Sequence, residues 1–275
     1  MTQCLIAFGA NQGDRSATLS RAVELLAASG FQDIRVSRAI ETNPVGGPES
    51  QAAYLNAVLS ANTDFNCHAV AAKLLSVEQS CGRSRSERWA PRTIDLDLLL
   101  FGDSVVDGPQ LCIPHPRMTF RRFVLEPACE VAGDMRHPLC GLTLRQLVSK
   151  NSLAKKLFCV WLTASPGYVS AVVNRVNAGR PKSRIDIVEL DTSPIFPVPE
   201  PTSWRMRVVS EPVQFGETSE TPRLMIGNRD KGLVNAQKLV VAVQRFPGAS
   251  LIVSDDERIA AQDLAAALSA LEAFD

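Results

Sequence analysis

Asp95-Leu96-Asp97 constrains this chain more than any other feature, because two carboxylates one residue apart on a strand must share a face. Ile94, Leu96 and Leu98 alternate with them, so the aliphatics face a core and the acids face away from it. Carboxylates side by side repel and raise each other's proton affinity unless a cation or a shared proton offsets the cost. The approach to this strand, Arg88-Trp89-Ala90-Pro91-Arg92-Thr93, is cationic, and Arg83 and Arg85 lie just upstream. Hard oxygen ligands beside a cluster of arginines suit a polyphosphate bridged to the carboxylates by Mg²⁺. The competing reading is a solvated strand face beside a basic loop.

Composition narrows the alternatives. Lys+Arg and Asp+Glu number 29 each, so no chain-wide basic field exists and nucleic acid is not an expected partner. The 7 cysteines are scattered and odd in number, with no Cys-x-x-Cys, which argues against a disulfide framework or a zinc site. No stretch of about 18 apolar residues occurs and the N-terminus has no basic flank, so neither a membrane span nor an export signal is expected. A cytoplasmic protein is the expectation. At 275 residues and 45% hydrophobic, there is material for two domains, placed at 1–155 and 156–275.

Leu5–Phe8 reads as a buried strand ending in the turn Gly9-Ala10-Asn11-Gln12-Gly13-Asp14. A helix follows from Ser16, with Leu19, Ala22, Val23 and Leu26 at helical spacing and Gly30 as its stop. Phe31–Ile40 reads as one strand, broken by the Pro/Gly-rich stretch 42–48. Tyr54–Ser60 is strand-like, and His68–Gly82 a second amphipathic helix with Val70, Leu74, Leu75 and Val77 facing in. His68 has no partner at ligand spacing and reads as a surface or capping residue. After the Asp95 strand, Asp103–Gln110 reads as a turn, and His115, Arg117, Arg121 and Arg122 form a second cationic cluster. Helical pieces at 123–132 and 142–148 close the first domain. The order β-α-β-β-α-β predicts an α+β ferredoxin-like antiparallel sheet with helices on one face.

Several blocks together resemble one family. They are Ile6–Asp14, Tyr54-Leu55-Asn56-Ala57-Val58, the long run Gly82–Asp97, and Ile113-Pro114-His115-Pro116-Arg117-Met118 through Arg121–Leu125. In order and spacing over residues 3–150 they resemble 6-hydroxymethyl-7,8-dihydropterin pyrophosphokinase of folate biosynthesis. Ala90 stands where that family usually has glycine, and Asn43 and Gly47 alter its pterin loop, without removing a chemical group. The resemblance implies transfer of pyrophosphate from ATP to the pterin hydroxymethyl group, with two Mg²⁺ ions. It implies that Asp95 and Asp97 hold metal and that Arg83 and Arg92 join them in catalysis. It further implies that Arg85, Arg88, His115 and Arg121 contact ATP, with Leu98, Leu111 and Ile113 near adenine. For the pterin it implies Thr42, Val45, Tyr54, Asn56, Trp89 and Phe123. Packing is the competing reading for the aliphatics, and the segments 43–53 and 82–92 are expected to act as lids.

The resemblance stops after Lys150. Strands at 157–162, 184–190, 205–209, 223–226 and 250–253, with helices at 167–177, 233–246 and 255–274, predict a C-terminal α/β domain. Pro194, Pro197, Pro199 and Pro201 mark a stiff loop. The turn Thr163–Gly167 joins strand to helix as phosphate loops do, but lacks their Gly-Lys-Ser/Thr ending. A packing role or a protein-partner surface competes with nucleotide binding there. The second functional reading is a non-catalytic ATP- or pterin-binding regulator acting through this domain. Intact Asp95 and Asp97 speak against it, since metal carboxylates serve the transition state more than ground-state affinity.

Overall fold

The computed structural model describes residues 1–44, 51–83, 92–153, 158–162, 166–179, 185–188, 204–209, 224–228, 249–253 and 256–272. The chain forms two compact units, residues 1–148 and the residues from 149 onward. The first begins with β1 (Thr2–Ala10), α1 (Arg15–Ala28), β2 (Gln32–Val36), β3 (Ile40–Thr42) and β4 (Tyr54–Thr63). It continues with α2 (Cys67–Ser80), β5 (Asp95–Phe101), the ribbon β6 (Val106–Asp107) and β7 (Cys112–Ile113), α3 (Arg122–Ala132) and α4 (Leu144–Leu153). The sheet order is β2-β4-β1-β5, with β3 also on β4, and every pair is antiparallel.

Helix ends follow local chemistry. Asp14 accepts from the Ala17 amide at 2.9 Å and Asn66 from the Ala69 amide at 2.9 Å, each satisfying an otherwise unpaired donor of the first turn. Gly30, at φ 97°, takes the left-handed geometry that lets the chain leave α1.

The central strand β1 is buried on both faces. Cys4, Ile6 and Phe8 pack with Leu26 of α1 and Val70, Leu74 and Val77 of α2. Leu5, on the other face, joins Val58, Leu99, Leu100 and the α3–α4 residues Leu125, Ala128, Leu144 and Leu147. Helices therefore cover both faces, where the sequence pattern had suggested one. In β5, Leu5 pairs with Leu100 and Ile6 with Leu98, so Leu99 is the extra residue of a bulge. That bulge lets three consecutive leucines be buried.

Three further details depart from the sequence reading. Phe31–Ile40 is two strands, because the Val58 amide donates to Ser37 Oγ at 3.0 Å and the Ser37 amide donates to the Val58 carbonyl at 3.0 Å, breaking the ladder at the join. Leu75 is 44% exposed while Glu78 is buried. At about 100° per residue, positions 70, 74, 77 and 78 form one stripe and 75 falls off it. Residues 103–110 include a strand, since Val106–Asp107 pairs with Cys112–Ile113.

The second unit holds β8 (Phe158–Leu162), α5 (Pro166–Ala178), β9 (Ile185–Val188), β10 (Trp204–Val209), β11 (Leu224–Asn228), β12 (Ala249–Val253) and α6 (Glu257–Glu272). Its five strands are parallel in the order β12-β11-β8-β10-β9. Buried Val169, Val172 and Val176 of α5 and Ala260, Leu264 and Leu268 of α6 supply the apolar stripes of two helices that pack on each other. The proline-rich stretch, the residues 163–165 and the expected helix at 233–246 lie outside the described residues. No helix among the described residues is long and apolar enough to cross a membrane.

Candidate active site

On the α3 face of the sheet, side chains shrink toward the end of β1. Leu5 gives way to Ala7 and then Gly9, and these pair with Asp97 and Asp95 on one side and with Val58 and Asn56 on the other. The missing bulk leaves a cavity of about 340 Å³ with Ala7 and Gly9 in its lining. Asp95, Asp97 and Arg92 form one wall, Tyr54, Asn56 and Thr42 another. His115, Arg117, Arg121 and Phe123 complete it from the start of α3 and the segment before it.

The acidic wall is electrostatically loaded. Burial, then the neighbouring Asp97, push the Asp95 carboxyl above the usual carboxylate range, while Arg92 and Arg83 pull it back. Arg92 Nη1 lies 2.5 Å from Asp95 Oδ2 and Arg83 Nη1 lies 2.9 Å from Oδ1, so each carboxylate oxygen has its own guanidinium. Burial alone would lower the Arg83 pKa, but Asp95 and Glu78 more than offset it. Arg83 also donates to Glu78, a carboxylate only 2% exposed on α2 that accepts from the Leu96 amide at 2.6 Å. Glu78 thus holds the backbone between the two aspartates, and its own pKa is raised by burial against these partners.

His115 is fixed by its amide, which donates to the Leu99 carbonyl at 2.9 Å, and by Nδ1, which accepts from the Arg117 amide at 3.2 Å. Burial, then Arg121 and Arg117, lower its pKa from 6.5 to about 3, so the imidazole is neutral near pH 7. With Nδ1 accepting, the proton resides on Nε2, which points toward Asp97 Oδ2 at 3.8 Å. It is a neutral hydrogen-bond donor beside a carboxylate. On the opposite wall, Asn56 Nδ2 donates to Thr42 Oγ1 at 2.8 Å, a diagonal bond between β4 and β3, where Asn56 pairs with Ile40 and Thr42 with Tyr54. The Arg121 guanidinium lies 5.8 Å from the centre of the Phe123 ring, a cation over an aromatic face.

Of the residues expected from sequence, Thr42, Tyr54, Asn56, Arg92, Asp95, Asp97, His115, Arg121 and Phe123 line this one cavity. Arg83 reaches it through Asp95. Leu98 and Ile113 are core residues, 5% and 1% exposed, Leu111 packs against that core, and none of the three lines the cavity. Val45, Arg85, Arg88 and Trp89 lie outside the described residues. Arg117, read from sequence as part of a cationic cluster, and Asn43, read as part of the pterin loop, are also on the wall, whereas sequence reasoning gave no role to Gln51 on the wall or to Glu78 and Asn11 behind it. Glu78 carried one available signal, a carboxylate on the apolar stripe of α2.

A small divalent cation fits the donor set: two adjacent hard-oxygen carboxylates, one of them held above its usual pKa partly by the other. Among the described residues no three or more His, Cys, Asp or Glu side chains gather as a metal cage. Any further ligands would be substrate oxygens and water, the usual arrangement for Mg²⁺.

The family described as 7,8-dihydro-6-hydroxymethylpterin-pyrophosphokinase matches residues 5–133. A Bacillus subtilis protein named 2-amino-4-hydroxy-6-hydroxymethyldihydropteridine pyrophosphokinase is 42% identical over 131 residues, 47% of this chain and 78% of that protein. Proteins of the same name from Methylorubrum extorquens and Aquifex aeolicus are 35% identical over 150 residues and 32% over 159. Those alignments cover 54% and 58% of this chain, and 94% and 97% of the relatives. The family match ends at residue 133, before the second unit begins.

Proposed function

The chain belongs to the 7,8-dihydro-6-hydroxymethylpterin-pyrophosphokinase family, and we propose that it transfers pyrophosphate from ATP to the hydroxymethyl group of 6-hydroxymethyl-7,8-dihydropterin in folate biosynthesis. The observation that carries the reading is the pairing of Asp95 and Asp97 on one wall of a cavity that also holds arginines, a neutral histidine and an aromatic–amide wall. Its support includes an antiparallel sheet with two helices on one face, the ferredoxin-like arrangement, within residues 1–155.

Each wall has a task. The pterin is flat and rich in donors and acceptors, and Tyr54, Phe123, Asn56 and Thr42 offer aromatic surface and fixed polar groups to it. Arg92, Arg121 and the Nε2–H of His115 face where phosphate oxygens would lie and stabilise charge there. The new bond joins the hydroxymethyl oxygen to the β-phosphorus. The bond that breaks joins the β-phosphorus to the oxygen it shares with the α-phosphate, and AMP leaves with that oxygen. Asp95 and Asp97 would hold Mg²⁺, two ions by analogy with the family, which supplies charge neutralisation and alignment of the triphosphate. Because Arg83 and Arg92 both pair with Asp95, nucleotide binding must exchange part of that pairing for contacts to phosphate.

Incubation with ATP, Mg²⁺ and the reduced hydroxymethylpterin should yield AMP and the pterin diphosphate in equal amounts. ADP as the nucleotide product, or no turnover, would overturn the assignment. Every described residue that lines this cavity belongs to the first unit.

A further inference from the structure

The β1–α1 turn lies behind the cavity wall but reaches two distant segments that form it. Asn11 is 4% exposed. Its amide donates to the Arg92 carbonyl at 3.0 Å and its Oδ1 accepts from the Arg92 amide at 2.7 Å, so one residue grips both backbone polar groups of another. Its Nδ2 donates to Gln51 Oε1 at 3.4 Å and to the Ala52 carbonyl at 3.5 Å. One helical turn on, Arg15 donates to the Ala53 carbonyl at 2.8 Å and pairs with Glu41 Oε1 at 2.6 Å. An asparagine in a turn usually bonds its own backbone one or two residues away. The side-chain partners of Asn11 are instead 40, 41 and 81 residues distant.

What those partners share is the cavity, since Gln51 and Arg92 both line it. A guanidinium such as that of Arg92 is useful only where its backbone places it, and misplacement by about 1 Å can cost about a hundredfold in rate. A buried amide whose hydrogen-bonding groups are all engaged resists such displacement, because leaving any of them unpaired carries a desolvation cost.

We propose that Asn11 is a positioning residue for the pyrophosphoryl transfer: it ties residue 92 and residues 51–52 to the end of β1, so that Arg92 and Gln51 are held in register across the cavity. This rests on the reaction assigned above. Asn11 itself touches no reacting atom.

The test measures amide exchange at residue 92 by NMR and steady-state kinetics side by side, in the full chain. In Asn11→Ala, the residue 92 amide should exchange about tenfold faster or more while the β1–β4 amides stay protected. Its kcat/KM should fall by about tenfold to a hundredfold. Asn11→Asp keeps the acceptor for the Arg92 amide and should recover most of that protection. In an Arg92→Ala background, Asn11→Ala should cost less than about threefold more, because the two act through one group. Unchanged exchange at residue 92, normal turnover in Asn11→Ala, or losses that multiply in the double variant would each overturn the proposal. Should Asn11→Ala fail to fold, Asn11→Ser, whose shorter side chain withdraws the Oδ1 acceptor from the Arg92 amide, carries the same comparison. A wild type that makes no AMP would count against the reaction alone, since exchange at residue 92 still decides whether Asn11 holds that segment.

Discussion

His137 should make the first unit lose stability on acidification in a way that one substitution can isolate. The residue sits between α3 and α4, 4% exposed, with its amide donating to the Leu142 carbonyl at 2.9 Å. Its Nδ1 is buried with no hydrogen-bond partner. Burial lowers its pKa from 6.5 to about 4, because nothing nearby compensates a charged imidazolium. A folded-state pKa below the unfolded value means stability that is complete above about pH 6.5 and is lost as pH falls toward 4. With those two values the loss reaches about 2 kcal/mol by pH 5 and about 3 kcal/mol by pH 4. His137→Leu removes this titration, while that of His115 stays in both proteins and cancels in the comparison. Urea unfolding between pH 8 and 4.5, read at β1 and β4 amides by hydrogen exchange, should show the wild type losing about 2 kcal/mol more than the variant by pH 5. Parallel curves, separated by a constant within about 0.5 kcal/mol, would mean that His137 is protonated equally in both states and that its burial carries no such cost.

Asp95→Ala and Asp97→Ala should each lower kcat by about a hundredfold or more with the fold retained, the scale expected when a transition-state electrostatic contact is removed. Near-normal kcat with normal Mg²⁺ dependence would place the metal elsewhere. Glu78→Gln keeps an oxygen for the Leu96 amide but removes the charge beside Arg83, and should destabilise the first unit by about 1–3 kcal/mol, with Glu78→Ala costing about 3–5 kcal/mol. Urea midpoints at pH 7 check this, and a change under about 0.5 kcal/mol in both would show that the buried carboxylate is not holding β5. A chain ending at Asn151 should keep its kcat per folded molecule, and a folded product without turnover would show that the second unit completes the site.

What the sequence made legible was periodic or clustered. The alternation around Asp95 and Asp97 placed both acids on one face, and the helices showed in the spacing of Leu19, Ala22 and Leu26 and of Val70, Leu74 and Val77, with Gly30 ending the first. Residues whose role comes from a partner far along the chain left little trace. Asn11 looked like any turn asparagine, and nothing local told that its amide would close on Arg92. Ser37 looked like an ordinary strand residue until its hydroxyl took the Val58 amide and split the strand. The bulge at Leu99 was hidden because three consecutive leucines fit either register. Burial of α3 and α4 against the second face was equally hidden, because it depends on β1 being apolar on both sides, and four or five residues of unbroken apolarity do not reveal which helices will cover them.

The chain's formal charge is balanced overall, and the site repeats that balance locally. Asp95 is matched by Arg83 and Arg92, and Arg83 in turn by Glu78, so the cations that would meet a polyphosphate are already paired with carboxylates. Such an arrangement keeps charge tolerable in the fold, above all at Glu78, whose buried carboxylate would be left uncompensated without Arg83. It also means that a phosphate arriving alone competes with Asp95 for the same two guanidinium groups. A phosphate arriving with a divalent cation does not, because the cation takes over the carboxylate as the arginines turn to the phosphate. On the reaction proposed above, the acidic pair and the arginines would act as one unit, favouring the metal-bound nucleotide over the free one.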